Sequence, residues 1–127
     1  MASFKIAQNA TFKAEVEIPR VGLDPVKVEF EFKYRDRKEL SKYYDKWNAE
    51  RDMLIKESIK DGSTWEQATA GQIALEAGQL KDIVVGWTFE ETFTDEAITD
   101  LVTTCVGAPA AVIEAYQAAY AVARRGN

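Results

Sequence analysis

From Phe12 to Ile18 apolar and polar residues alternate, with Phe12, Ala14, Val16 and Ile18 separated by Lys13, Glu15 and Glu17. The alternation returns from Val26 to Tyr34, where Val26, Val28, Phe30, Phe32 and Tyr34 are spaced by Lys27, Glu29, Glu31 and Lys33. Successive side chains of a strand point to opposite faces, so this period predicts two half-buried strands. The segment between them, Pro19-Arg20-Val21-Gly22-Leu23-Asp24-Pro25, has a proline at each end and a central glycine. It predicts a hairpin loop at which both strands stop. Phe4 and Ile6 suggest either an extension of the first strand or a short third one, broken at Gln8-Asn9. Such a hairpin is marginal alone and needs a cover over its apolar face. It also leaves two unpaired edges open to strand addition by another copy or a partner.

Beyond Tyr34 the period changes to that of helices. The first is expected from Asp36 to about Lys60, with Asp36 and Glu39 as a cap that suits the helix dipole. Leu40, Tyr43, Tyr44, Trp47, Leu54 and Ile55 share one face of it, with Arg51 and Ser58 inside the stripe. Such an arginine either lays its stem along a core or, with Tyr and Trp beside it, marks a protein contact. Asp61-Gly62-Ser63 stops this helix. A second starts with Ser63 or Thr64 as cap and Glu66 or Gln67 answering, and runs to about Gln79, weakened by Gly71 and Gly78. In Lys81–Phe89 the run Ile83-Val84-Val85 suits either a helix end or a short strand. Thr94 caps a third helix to about Cys105, with Ile98, Leu101, Val102 and Cys105 on one face. The last runs from Pro109 to about Arg124, rich in alanine, with Val112, Tyr116 and Tyr120 stacked at four-residue intervals. Its apolar character over most of its circumference predicts a central helix or a subunit interface. The fold class is therefore α+β: one domain over 1–127, an N-terminal antiparallel hairpin through residue 35, then about four helices from 36 onward.

Composition agrees with a folded domain: 127 residues, 46% hydrophobic and 29% charged. No apolar run is long enough to span a membrane. The start, Met1-Ala2-Ser3-Phe4-Lys5, lacks a signal-peptide pattern, which argues against secretion. Charge is uneven. Residues 1–64 carry 13 Lys/Arg and 12 Asp/Glu, whereas residues 65–127 carry 3 and 9. An acidic second half repels phosphate backbones, so nucleic acid is not the expected partner, while a basic protein could be. The one basic cluster, Arg35-Asp36-Arg37-Lys38, reads as a solvated loop and helix start.

The search for chemistry returns little. The chain has no histidine, which removes Ser-His and Cys-His catalysis and histidine-ligated zinc. Glu90-Glu91 and Asp95-Glu96 match no calcium loop. Cys105, on an apolar helix face, reads as a buried structural thiol. No phosphate-binding glycine motif occurs. No catalytic residue, cofactor site or metal site is expected, and the pattern is that of a binding protein.

A resemblance extends this. Asn9-Ala10-Thr11-Phe12-Lys13-Ala14-Glu15-Val16 with Ile18-Pro19 is followed by Phe30-Glu31-Phe32-Lys33-Tyr34-Arg35-Asp36-Arg37 with Glu39-Leu40. Then come Ile83-Val84-Val85-Gly86-Trp87 and Ala108-Pro109-Ala110-Ala111, leading to Ile113-Glu114-Ala115-Tyr116 and a terminal Arg124-Arg125-Gly126-Asn127. In order and spacing these resemble the tail assembly chaperones of long-tailed bacteriophages, over most of the chain, with Ala49–Leu80 least diagnostic. The ending Gly126-Asn127 stands where a lysine-asparagine ending is expected in relatives. The resemblance implies a non-enzymatic protein of the infected host cytoplasm, absent from the finished virion. It implies that the protein binds the tape measure protein, keeps its apolar helices from aggregating and helps recruit tail tube subunits. Relatives are often also made in a longer, frameshifted form.

Tyr43, Tyr44, Trp47 and Arg51, with Trp87 and Phe89 near them, are the expected partner-binding residues; Trp87, bulky and beside a glycine, also reads as plain core. Val112, Tyr116 and Tyr120 are the expected self-association face of a homo-oligomer. Two other readings stay open: a minor structural component of a phage tail or neck, and a small acidic inhibitor or antitoxin-like binder.

Overall fold

The computed structural model describes residues 3–126; Met1, Ala2 and Asn127, read above only as sequence, lie outside the described residues. β1 (Thr11–Arg20) and β2 (Leu23–Lys33) pair antiparallel, with Phe12 opposite Phe32, Ala14 opposite Phe30 and Val16 opposite Val28. The alternation becomes a ribbon with two unlike faces. Val16, Ile18, Val28, Phe30 and Phe32 are buried, while Lys13, Glu15, Glu17, Lys27 and Glu29 are exposed.

Two expectations about the sheet need correction. The connection is shorter than the prolines suggested: both strands run through them, and Val21-Gly22 alone turn the chain, with Gly22 at φ 74°. A proline withholds one ladder donor, so it is tolerated where pairing is irregular or absent. The register shifts between Ile18 and Arg20, around Pro19, and Pro25 lies on a part of β2 that no third strand reaches. Nor do Phe4 and Ile6 join the sheet; both are almost fully exposed and outside any strand. The third strand is β3 (Val84–Trp87), which pairs antiparallel with β2 and sets Phe30 opposite Trp87. The sheet order is β1-β2-β3, so the free edge expected on β2 is partly covered.

The helices start where their caps require. Asp36 Oδ1 accepts from Glu39 N at 2.9 Å to open α1 (Arg37–Ser58). Thr64 and Gln67 form a reciprocal capping box at the head of α2 (Trp65–Ile83), which continues past Gln79 to the edge of β3. Thr94 Oγ1 accepts from Ala97 N at 3.0 Å before α3 (Asp95–Thr104), and Pro109 occupies the first turn of α4 (Ala108–Arg125). Gly71 has a packing role in α2. A Cβ there would lie 2.5 Å from Leu54 Cδ1, so its absence lets α1 and α2 approach closely.

All the main packing occurs on one face of the sheet. α4 crosses it along β1 and brings the Tyr116 ring to 5.4 Å from Phe32 and 5.8 Å from Phe12. The second half of α2 buries Leu75, Ala77, Leu80 and Ile83, and α3 adds Ile98, Leu101 and Val102. Aromatic contacts run without a gap from Tyr34 and Tyr120 through Phe12, Phe32 and Phe30 to Trp87 and Phe93. Each large side chain fully buried there contributes roughly 1.5–3 kcal/mol of transfer free energy. Of the two expectations for α4, a central helix is not what is found: Ala108, Pro109, Val112 and Tyr116 are buried, but Ala110, Ala118, Ala121 and Val122 face water. Alanine makes this cheap, because each methyl exposes little apolar area. Among the described residues no single helix is long and apolar enough to cross a membrane.

Candidate functional site

The stripe on α1 divides into two parts. In its first half Trp47 is buried, at 7% exposure, and its Nε1 donates to Asp82 Oδ2 at 2.8 Å. Lys46 Nζ donates to the same oxygen at 3.1 Å, and this contact holds the ammonium above its usual pKa. Tyr44 packs edge-on to Trp47 at 5.6 Å, and burial pushes its phenol up. The Arg35 guanidinium lies 3.9 Å over the Tyr43 ring. Arg51 is exposed and donates to Asn48 Oδ1 one turn back.

Arg35 corrects the reading of the basic cluster as a solvated loop. It is 7% exposed, and its Nη2 donates to the Asp82 carbonyl at 2.7 Å while Nη1 lies 3.5 Å from Glu39. Its backbone N donates to Tyr120 Oη at 2.9 Å, and its carbonyl accepts from that hydroxyl at 3.1 Å. A buried guanidinium is stable only when paired and bonded in this way. Neither Arg35 nor Asp82 was predicted as a key residue. The one available signal was Asp82 itself, an acid between Leu80 and Ile83 in an apolar stretch.

Of the expected partner-binding residues, Tyr44, Trp47 and Arg51 line a groove of about 380 Å³ with Gln79, Ile113 and Gln117. Trp87 and Phe89 are not brought to it. They line a separate cleft of about 280 Å³ against α3, with no lining residue in common. Trp47 is thus committed to the chain's own core, and its indole N–H is already satisfied. The three residues expected to carry self-association are placed unequally. Val112 and Tyr116 are fully buried under the sheet, where Tyr116 Oη donates to the Lys33 carbonyl at 3.1 Å and burial raises its pKa strongly. Tyr120 alone of the three keeps a partly open ring, at the wall of a shallow apolar pocket with Phe12 and Tyr34.

Exposed apolar side chains occur at several other places, among them the α1–α2 pair. The far ends of α1 and α2 leave Met53, Ile59 and Trp65 at 66%, 77% and 90% exposure. No residue of α1 after Trp47, and none of α2 before Leu75, is buried. This paired-helix arm therefore stands away from the core with an apolar tip. Isolated exposed apolar residues are ordinary; three towards one end of a helix pair are a local excess. Trp65 was the missed signal: a tryptophan directly after the Thr64 cap, outside the stripe of any predicted helix.

A family model described as phage tail assembly chaperone matches residues 1–127, the whole chain. The chain belongs to the phage tail assembly chaperone family. Comparisons with curated proteins and with solved structures give no significant match. A role as a chaperone in tail assembly follows from membership. Cys105, expected in the core, is half-buried at the end of α3 in the Trp87 cleft. Among the described residues no His, Cys, Asp or Glu cluster is placed to hold a metal ion.

Proposed function

We propose that this phage tail assembly chaperone is non-enzymatic and acts by binding the tape measure protein through the apolar tip of its α1–α2 arm. On this reading it works in the host cytoplasm, shields apolar helices of its client, helps recruit tail tube subunits and does not remain in the virion. The observation that supports it is the set Met53, Ile59 and Trp65, left in water at the end of two helices. Apolar surface of this kind on an acidic, well-solvated domain suits helix-to-helix recognition. Partner-facing roles for Tyr43, Tyr44 and Arg51 are part of the same proposal, since they lie on the arm's base and keep exposed area. Self-association, if carried by α4, would use Tyr120 and its solvent-facing alanines.

The test is co-expression with the tape measure protein of the same phage. The wild-type chain is expected to raise the soluble fraction of the client and to co-purify with it. The Ile59→Ser/Trp65→Ser variant should fold normally and lose most of that retention. A client that stays insoluble with or without the wild-type chain overturns the reading, as does finding the chain in purified virions.

A further inference from the structure

The cleft beside α3 is built for a charge that the chain itself does not supply. Ala97, Leu101 and Cys105 recur at four-residue intervals and form its floor with Trp87 and Phe89. Glu96, Asp100 and Thr104 follow the same interval one position earlier and are exposed along one line of α3; Glu91, also exposed, lines the cleft as well. Neighbours at i and i+4 lie one above the other on a helix, so the groove runs along the axis of α3. The ten residues of α3 make it roughly 15 Å long. Trp87 is held in place: its Nε1 donates to the Glu91 carbonyl at 2.8 Å, and Phe89 and Phe93 stand edge-on to it at 5.1 and 5.0 Å.

Among the described residues, none of Glu90, Glu91, Asp95, Glu96 and Asp100 takes part in an ion pair. Glu96 and Asp100 repel one another at i, i+4, an arrangement that lowers helix stability unless a cation lies against it. The carboxylates do not converge on a point that could hold a metal ion. An aromatic and aliphatic floor flanked by spaced carboxylates instead suits an amphipathic helix whose apolar side carries basic residues at its margin. Lysine and arginine stems cover apolar surface while their charged ends reach the rim.

We propose that the cleft between α3 and the Trp87–Phe89 segment binds a basic amphipathic helix, with cations at i and i+4 of the partner set against Glu96 and Asp100. That such a helix belongs to the tape measure protein rests on the function proposed above; the chemistry of the cleft does not. The experiment titrates the full chain with two synthetic 18-residue helical peptides that share one leucine-alanine face. One carries lysines along both margins and the other glutamates. The basic peptide is expected to shift the Trp87 indole N–H and the α3 amide resonances. Its affinity should fall at least tenfold between 50 and 500 mM salt, and about tenfold in Glu96→Gln/Asp100→Asn. Asp100→Asn alone, which leaves the first turn of α3 intact, should show a smaller loss in the same direction. The glutamate peptide should not bind. Equal binding of the two peptides, shifts confined to the α1–α2 arm, or wild-type affinity in the double variant would each overturn the proposal. A positive peptide response beside a client that is not retained would count against the chaperone reading alone.

Discussion

Around the sheet, aromatic side chains are packed against one another and sealed; along the outer arm, residues of the same kind stand in water. Phe30, Phe32 and Tyr116 are fully buried, whereas Trp65 is 90% exposed. The two regions differ in how many layers lie over them. Rings on the inner face of β1 and β2 are covered by α4 and by the second half of α2. Past Arg51, whose groove is shared with α4, the far half of α1 packs mainly on α2, drawn close at Gly71. Burial is thus set by neighbours and not by residue type.

Substitutions at matched positions separate the two regions, and the largest effect belongs in the core. Phe30→Ala is expected to cost about 3–5 kcal/mol, because the vacated space is bounded by Phe32, Trp87 and Phe89 and cannot collapse easily. Urea denaturation would read it as a lower midpoint with the slope unchanged. A mild loss there would mean that the sheet face is less tightly packed than described.

Tyr116→Phe keeps the ring and removes the hydroxyl that donates to the Lys33 carbonyl and meets Tyr120 Oη at 3.2 Å. The expected cost is about 1 kcal/mol. The same residue makes a pH prediction. Its folded pKa lies above the ordinary 10.0, so the folded state retains the proton where the unfolded state has lost it. Stability from this group is fully present below pH 10.0 and declines as pH rises beyond it. Thermal melts between pH 9 and 11 should show that decline, and Tyr116→Phe should flatten it.

The smallest expected effect on stability is at the arm. Ile59→Ser/Trp65→Ser should change unfolding free energy by about 0.5 kcal/mol or less, since neither side chain has a buried contact to lose. A larger loss would show that the arm tip is packed in solution and would remove it as a contact surface.

The sequence carried much of this division, though unequally. Strand alternation was legible because one face of a sheet is wet and the other dry, and Asp36, Thr64 and Thr94 marked helix starts because free backbone amides need acceptors. The stripe on α1 was legible as apolar but not as half covered, since coverage depends on where α2 and α4 come to rest. Arg35 could not be read as buried, because its acceptor is a carbonyl 47 positions away. Trp47 and Tyr116 have the composition of a contact surface, yet internal partners already occupy their polar ends.

Asp82 gives this arrangement a mechanical meaning. Both α1 side chains that hydrogen-bond across to α2, Lys46 and Trp47, end on its carboxylate, and Arg35 holds its carbonyl from the strand side. Three side chains, from α1 and from the end of the hairpin, thus converge on one residue of α2, two positions before β3 begins. Force applied at the distant tip would travel as along a lever to the point where α2 hands over to the sheet.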